Sequence, residues 1–266
     1  MSVLLVIPVR HASSRYPGKA LAALTGATGM KKTLIQRSWE AAQAASGIDR
    51  IVIATDDGRI RDVAQSFGAE VAMTSPGCSN GTERCAEAAD ALGARFDTVV
   101  NLQGDAPLTP PWFIEELVAG LEAHPTAEVA TPVLRASGRA LQGFHEDRRA
   151  GRVGATTVVF GIDRKALYFS KEVIPHTAQD YPDAAPTPVF HHVGVYAYRP
   201  SALAAYPRWQ PGALERLEGL EQLRFLERER PVLCVEVDAR GRPFWEVNNP
   251  EDVPRIETIL AELGVE

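Results

Sequence analysis

Apolar residues run from Val3 through Ile7 and stop at Pro8-Val9, where the chain turns polar at Arg10. A continuous run of that kind suits a strand buried on both faces. After it, helical periodicity alternates with short β-branched runs. Helices are predicted over Thr33 to Ala45, about Gly58 to Phe67, Glu83 to Leu92, and Pro110 to about Leu121. Strands are predicted over Arg50 to Ala54, Glu70 to Met73 and Thr98 to Leu102. Such alternation argues for βαβ units and a parallel sheet. The second half is less regular. Strands are expected over Thr156 to Phe160, Val193 to Tyr198 and Val232 to Val237, and a closing helix over Glu251 to Leu263. Residues 134 to 153 read as an exposed polar excursion and 176 to 190 as a loop. Leu214, Leu217, Leu220, Leu223 and Leu226 suggest one amphipathic helix from Leu214 to Glu229.

Composition narrows the class. At 266 residues the chain can bury a full core, and a single α/β domain over 1–266 is expected. A formal net charge of -6 argues against a surface built for nucleic acid. Cys78, Cys85 and Cys234 are odd in number and lack Cys-x-x-Cys spacing, which favours a reducing compartment, the cytoplasm, and no zinc site. The apolar run begins at once, leaving no room for a signal peptide, and no stretch approaches the ~18 residues of a membrane span.

Against the acidic background stands a basic loop, Arg10 to Lys19, with Arg15 between and Pro17-Gly18 setting a turn before the lysine. A cationic loop at the carboxyl end of a central strand is where an open α/β sheet takes its ligand, and three cations suit a polyanion, most simply a triphosphate. A solvated basic loop is the plainer alternative. It is neither a P-loop nor a dinucleotide fingerprint, since the glycine spacings of both are missing. Asp105 follows a strand in Asn101-Leu102-Gln103-Gly104-Asp105, where one carboxylate could hold Mg²⁺ with phosphate oxygens completing the shell, or simply cap a turn. Ser79 to Arg84 enters a helix and could cradle an anion, read base edges, or form a capping box through Glu83. His191-His192 begins a predicted strand, so the two imidazoles face opposite ways and one is expected to point into a site. Glu218, Glu221 and Gln222 fall on the long predicted helix, where a solvated face is the ordinary outcome. No Gly-x-Ser-x-Gly or Cys/His pairing argues for a covalent nucleophile.

Several blocks in order then resemble the 3-deoxy-manno-octulosonate (Kdo) cytidylyltransferases, and more loosely the CMP-acylneuraminate synthetases. They are Pro8-Val9-Arg10 with Ser14 to Lys19, Ala54-Thr55-Asp56, Gly81 to Arg84, Gln103-Gly104-Asp105, Ala166 to Ser170, His192 to Tyr196, Leu220 to Arg224 and Asn249 to Asp252. The resemblance implies a mostly parallel twisted sheet with helices on both faces, and an arm over 134 to 200 serving as lid and dimer contact. Phe160, Tyr168 and Phe169 are candidates for that contact, with core packing as the alternative. It implies transfer of CMP from CTP to an acidic sugar, with pyrophosphate leaving, in a homodimer that uses Mg²⁺. Catalysis would fall to Arg10, Lys19 and Asp105. The nucleotide would be held by Arg10, Arg15, Lys19, Thr55, Asp56, Ser79, Gly81, Thr82, Arg84 and Gln103. The acceptor would be held by His192, Tyr196, Glu221 and Gln222, and the metal by Asp105 and Asn248. Three positions depart from the family pattern. Asn248 stands for a second metal aspartate, with Glu246 two residues earlier expected on the same strand face. Ala106 stands for a glutamate and Thr157 for a lysine. These departures leave open a smaller acid or phosphonate such as phosphonoformate as acceptor, and Asn248 alone would allow a nucleotide-binding protein without turnover. A sugar-1-phosphate nucleotidyltransferase is disfavoured, because its glycine-richer loop is missing.

Overall fold

The computed structural model describes residues 1–12, 16–93, 95–153 and 155–266. Two compact units emerge, Met1–Glu115 with Ala239–Glu266, and Glu116–Asp238. In the first, β1 (Val3–Val9) is followed by a small hairpin, β2 (Ala23–Thr25) and β3 (Lys31–Thr33), then α1 (Leu34–Gln43), β4 (Arg50–Thr55), α2 (Gly58–Ser66), β5 (Glu70–Met73), α3 (Gly81–Ala91) and β6 (Thr98–Leu102). The strands line up as β5-β4-β1-β6, every neighbouring pair parallel. All seven residues of β1 are buried. Since successive side chains of a strand leave on opposite faces, both faces of β1 are covered, as its unbroken apolar run requires. Parallel pairing also brings the carboxyl ends of β1, β4 and β6 to one end of this sheet, which fixes where ligand chemistry collects.

The unit boundary falls inside α4 (Pro111–Ala123). The second unit is built on β7 (Val129–Ser137), then α5 (Gly138–Arg149), β8 (Thr157–Phe160), β9 (Ala166–Ser170), β10 (Pro186–His192), β11 (Val195–Tyr198), α6 (Pro200–Ala205), α7 (Ala213–Glu218), α8 (Leu223–Leu226) and β12 (Val232–Val237). β7 pairs in parallel with β12 along one edge and antiparallel with β11 and β10 along the other. β8 and β9 extend the antiparallel side. The chain then returns to the first unit and ends in α9 (Asp252–Leu263).

Four expectations are corrected here. Residues 134 to 153 are the end of β7 and the helix α5, whose Leu141 is buried, so they are not an exposed excursion. Residues 186–190 of the expected loop belong to β10, and His191-His192 close that strand instead of opening one. Glu246 and Asn248 lie outside any strand, so the shared face expected for them does not exist. The leucine series is two short helices, not one: Gly219 closes α7 in the left-handed region at φ 62°, and Leu217 is 82% exposed. A spacing of three residues advances about 300° on a helix, so five leucines drift through roughly 240° and cannot share a face.

Candidate functional site

In the first unit the candidate residues gather at the carboxyl ends of β1, β4 and β6. The loop after β1 folds back on itself: Gly18 N–H donates to the His11 carbonyl at 2.9 Å, and Lys19 N–H to that of Tyr16 at 3.1 Å. Tyr16 packs against a core that includes Leu24, Leu108 and Val247. Lys19 is thereby aimed inward. Its Nζ lies 2.5 Å from Asp105 Oδ2 and 3.1 Å from the Val247 carbonyl. Arg10 at the other end of the loop is exposed and carries no ion pair among the described residues. Arg15 lies outside the described residues.

Asp105 is set by the turn that follows β6. A Cβ at Gly104 would come 2.9 Å from Val9 Cγ2 and 3.3 Å from the Pro8 carbonyl, so only glycine lets this turn lie against the end of β1. Ser38 Oγ donates to the Gly104 carbonyl at 3.0 Å, and Val247 N–H donates to the Asp105 carbonyl at 2.9 Å. Ala106 beside it is fully buried.

The Ser79–Arg84 segment is a helix start, with α3 beginning at Gly81 and not at Glu83 as expected. Asn80 Oδ1 caps Glu83 N–H at 2.8 Å, and the Glu83 carboxylate accepts from Ser79 N–H at 2.8 Å. Two donors that the helix cannot satisfy are met reciprocally. A Cβ at Gly81 would sit 3.0 Å from Gln103 Nε2 and 3.3 Å from Pro8 Cγ, so the helix start rests on the ends of β1 and β6. Gln103 Nε2 donates to Asn101 Oδ1 at 3.3 Å. Thr82 is buried. Arg84, also buried, donates to Thr74 Oγ1 at 2.5 Å and stands 3.4 Å from Asp56 Oδ1. Thr55 is buried at the end of β4, its hydroxyl accepting from Asp57 N–H at 3.2 Å. Thr74 went unnoticed in the sequence because a lone threonine after a strand carries no pattern.

The second unit holds the other group. β10 ends at His192 and β11 starts at Val195, and Thr131 Oγ1 sits 3.2 and 2.9 Å from the Val193 and Val195 carbonyls in the kink between them. The kink brings the His192 and Tyr196 rings to 5.5 Å, and Phe169 packs edge-on to His192 at 5.1 Å. Tyr196 Oη donates to Gln222 Oε1 at 3.0 Å, which fixes the amide with its Nε2 turned the other way. Gln222 Nε2 and His192 Nε2 are buried and meet no hydrogen-bond partner among the described residues. Burial, and next the neighbouring His191, push the His192 imidazole down to about 3, so it is neutral at pH 7. Buried polar atoms left unpaired are costly, and here two of them belong to side chains that both contact Tyr196. Glu221 gives its carbonyl to Tyr206 Oη at 3.1 Å.

Glu218 is part-buried and engaged by protein donors. Its carboxylate accepts from Ser170 Oγ at 2.7 Å, Lys171 N–H at 3.0 Å and Tyr168 Oη at 3.3 Å. Thr157 is buried with its hydroxyl spent on the Glu172 carbonyl at 2.6 Å and on Ile174 N–H at 3.1 Å. Phe169 is core, which settles its alternative, whereas Leu167 and Ile162 are the exposed apolar residues of this stretch.

Comparison with known proteins gives the family. The profile of the family described as cytidylyltransferase matches residues 4–232. A 3-deoxy-manno-octulosonate cytidylyltransferase of Maricaulis maris is 43% identical over 99% of each chain. An 8-amino-3,8-dideoxy-manno-octulosonate cytidylyltransferase of Shewanella frigidimarina is 41% identical over 98% of this chain and 99% of its own. A solved CMP:2-keto-3-deoxy-manno-octonic acid synthetase complexed with CTP superposes with a TM-score of 0.82 at 30% identity, covering 99% of this chain and 100% of that one. The chain belongs to the cytidylyltransferase family, alongside the 3-deoxy-manno-octulosonate cytidylyltransferases, and is a nucleotidyltransferase.

Proposed function

We propose that this protein transfers CMP from CTP to 3-deoxy-manno-octulosonate or a sugar acid close to it, releasing pyrophosphate. The observation that carries the reading is the Lys19–Asp105 pair at the end of the parallel strands, with the exposed cation Arg10 on the same loop. Relatives bearing that activity in their names span the whole chain. In the proposed reaction an acceptor hydroxyl attacks the α-phosphorus of CTP, the bond to the β-phosphate oxygen breaks, and the hydroxyl proton is lost. Phosphoryl-type transfer asks the protein for positioning and for positive charge on developing negative charge, with little covalent work. Arg10 and Lys19 would neutralise the triphosphate. Thr55, Asp56, Ser79, Gly81, Thr82, Arg84 and Gln103, with Arg15, would hold the nucleoside and phosphates.

Mg²⁺ is the proposed cofactor. Among the described residues no cluster of three or more His, Cys, Asp or Glu side chains is placed to hold a metal. One carboxylate, Asp105, with a neutral amide at Asn248, fits an ion that takes most of its ligands from phosphates and water. When bound, the ion would supply charge neutralisation at the phosphates.

For the acceptor, the buried His192, Gln222 and Tyr196 group and Glu221 would recognise a carboxylate and hydroxyls. A phosphonate such as phosphonoformate is the alternative acceptor, raised by Thr157, Ala106 and Asn248; the Thr157 hydroxyl is occupied and Ala106 is fully buried. A reducing, cytoplasmic setting is proposed, supported by Cys78, Cys85 and Cys234, which form no disulfide among the described residues. Among the described residues no helix is long and apolar enough to cross a membrane. A homodimer is also proposed, supported by Leu167, 68% exposed on the terminal strand β9.

The test is pyrophosphate release from CTP and MgCl₂ with a panel of 3-deoxy-manno-octulosonate, its 8-amino analogue and phosphonoformate. Turnover is expected with one of the two sugar acids. Turnover with phosphonoformate alone, or with none, would reject the proposal.

A further inference from the structure

The peptide of Val247 touches both members of the charged pair. Its carbonyl accepts from Lys19 Nζ at 3.1 Å and its N–H donates to the Asp105 carbonyl at 2.9 Å. Yet residues 242–248 belong to no helix or strand, so no ladder of backbone hydrogen bonds fixes that peptide. A carboxylate anchors the loop on both sides of it. Asp252, the first residue of α9, accepts from Trp245 Nε1 at 3.0 Å through one oxygen, and from Asn248 N–H at 2.8 Å and Asn249 N–H at 2.7 Å through the other. Those donors bracket Val247 on both sides. Trp245 is held in turn by Arg255, whose guanidinium lies 3.4 Å over its ring, and by the core cluster containing Val253 and Ile256. Three donors on one carboxylate are charge-assisted bonds, roughly twice as strong as neutral ones.

We propose that Asp252 is a positioning residue for the reaction: it fixes the Trp245–Asn249 loop so that the Val247 peptide holds Lys19 and Asp105 in register. This rests on the functional reading above. Without the carboxylate, the loop would lose three of its hydrogen bonds, the Val247 carbonyl would leave Lys19, and Lys19 would no longer be aimed. Among the described residues no hydrogen bond or ion pair joins Asp252 to Lys19 or Asp105, so its effect on Lys19 must travel through Val247, and the share carried by Lys19 is lost once Lys19 is gone.

The decisive experiment is a double-mutant cycle of Asp252→Ala with Lys19→Ala, read by calorimetric binding of CTP in MgCl₂ and by kcat. Asp252→Ala should weaken CTP about tenfold and lower kcat roughly ten- to hundredfold, with the acceptor KM held within twofold, because misplacement of a catalytic group is expensive. Asp252→Ala added to Lys19→Ala should cost less than about threefold more. Independent, multiplying effects would overturn the proposal. So would a variant that loses thermal stability but keeps wild-type CTP affinity and kcat, since that is what a merely structural residue does. Should the alanine variant fail to fold, Asp252→Asn, which retains an acceptor oxygen at the same place, is run through the same cycle with the same criteria. A wild-type protein that binds CTP but turns over no acceptor would sink the functional reading, and the calorimetric cycle would still decide Asp252.

Discussion

Within residues 1–115 and 239–266 the central pair, Lys19 and Asp105, is charged, bridged and part-open, with 17% and 22% side-chain exposure. Within residues 116–238 the central pair, His192 and Gln222, is neutral and buried, 6% and 2% exposed, with a ring nitrogen and an amide nitrogen that meet no partner among the described residues. The difference follows from what each ligand would bring. A triphosphate arrives with several charges, and cations that already lean on a carboxylate can be redirected to it at modest cost in a half-solvated place. A sugar acid arrives with one carboxylate and many hydroxyls, for which neutral donors in a dry setting discriminate more sharply, because leaving them unmet is penalised. Unit 2 keeps its own full charges in structural pairs, such as the buried Arg224–Glu215 bridge with two 2.7 Å bonds.

The comparison breaks most easily at the charged end. Lys19→Ala and Asp105→Ala should each lower kcat by about 10²–10³-fold, the range seen when one preorganised electrostatic contact to a transition state is removed. Steady-state pyrophosphate release checks this, with circular dichroism to confirm the fold. A loss below tenfold for both would mean that the pair is an ordinary ion bridge worth under about 1 kcal/mol.

Removing a donor from the neutral group should act differently. Gln222→Leu keeps approximate volume and deletes the unpaired Nε2, so the acceptor KM should rise roughly 10- to 100-fold, the value of a hydrogen bond to a charged group. The KM for CTP should stay within twofold. If the CTP constant moves with it, the assignment of ligands to the two groups fails.

The same contrast explains what could be read in the sequence. β1, β4 and β6 were legible because parallel strands buried on both faces are largely apolar words, the short edge strand β5 because its apolar Val-Ala-Met run follows a helical stretch, and Asp105 because it follows β6 closely. β7 was not: it carries Thr131 and Pro132 in its middle, and proline is normally kept off interior strands. Pro132 has no N–H to give the ladder; its carbonyl accepts from Val193 N–H at 3.1 Å where β10 passes into β11, and that kink is what joins His192 to Tyr196. The break in the leucine series was hidden for another reason. Glu227 reaches back to cap Leu214 N–H at 2.9 Å and Glu215 N–H at 3.1 Å, a tertiary contact with no local signature. Asp252 was visible only as part of a motif, since its three donors are backbone and indole groups that a sequence does not place.

The smallest effect concerns pH. The His192 imidazole sits at about 3 in the folded protein against an ordinary value near 6.5. Between those values the unfolded chain binds a proton that the folded chain does not, so stability is fully present above about pH 6.5 and drains as pH falls toward 3, by up to one proton per molecule. His192→Gln keeps a neutral polar side chain and removes the titration. Its thermal midpoint should therefore fall less steeply than the wild type's between pH 6.5 and 4, whatever the offset at pH 7. Parallel slopes would show that His192 is solvated enough to protonate in place, and the dry half of the comparison would lose its main support.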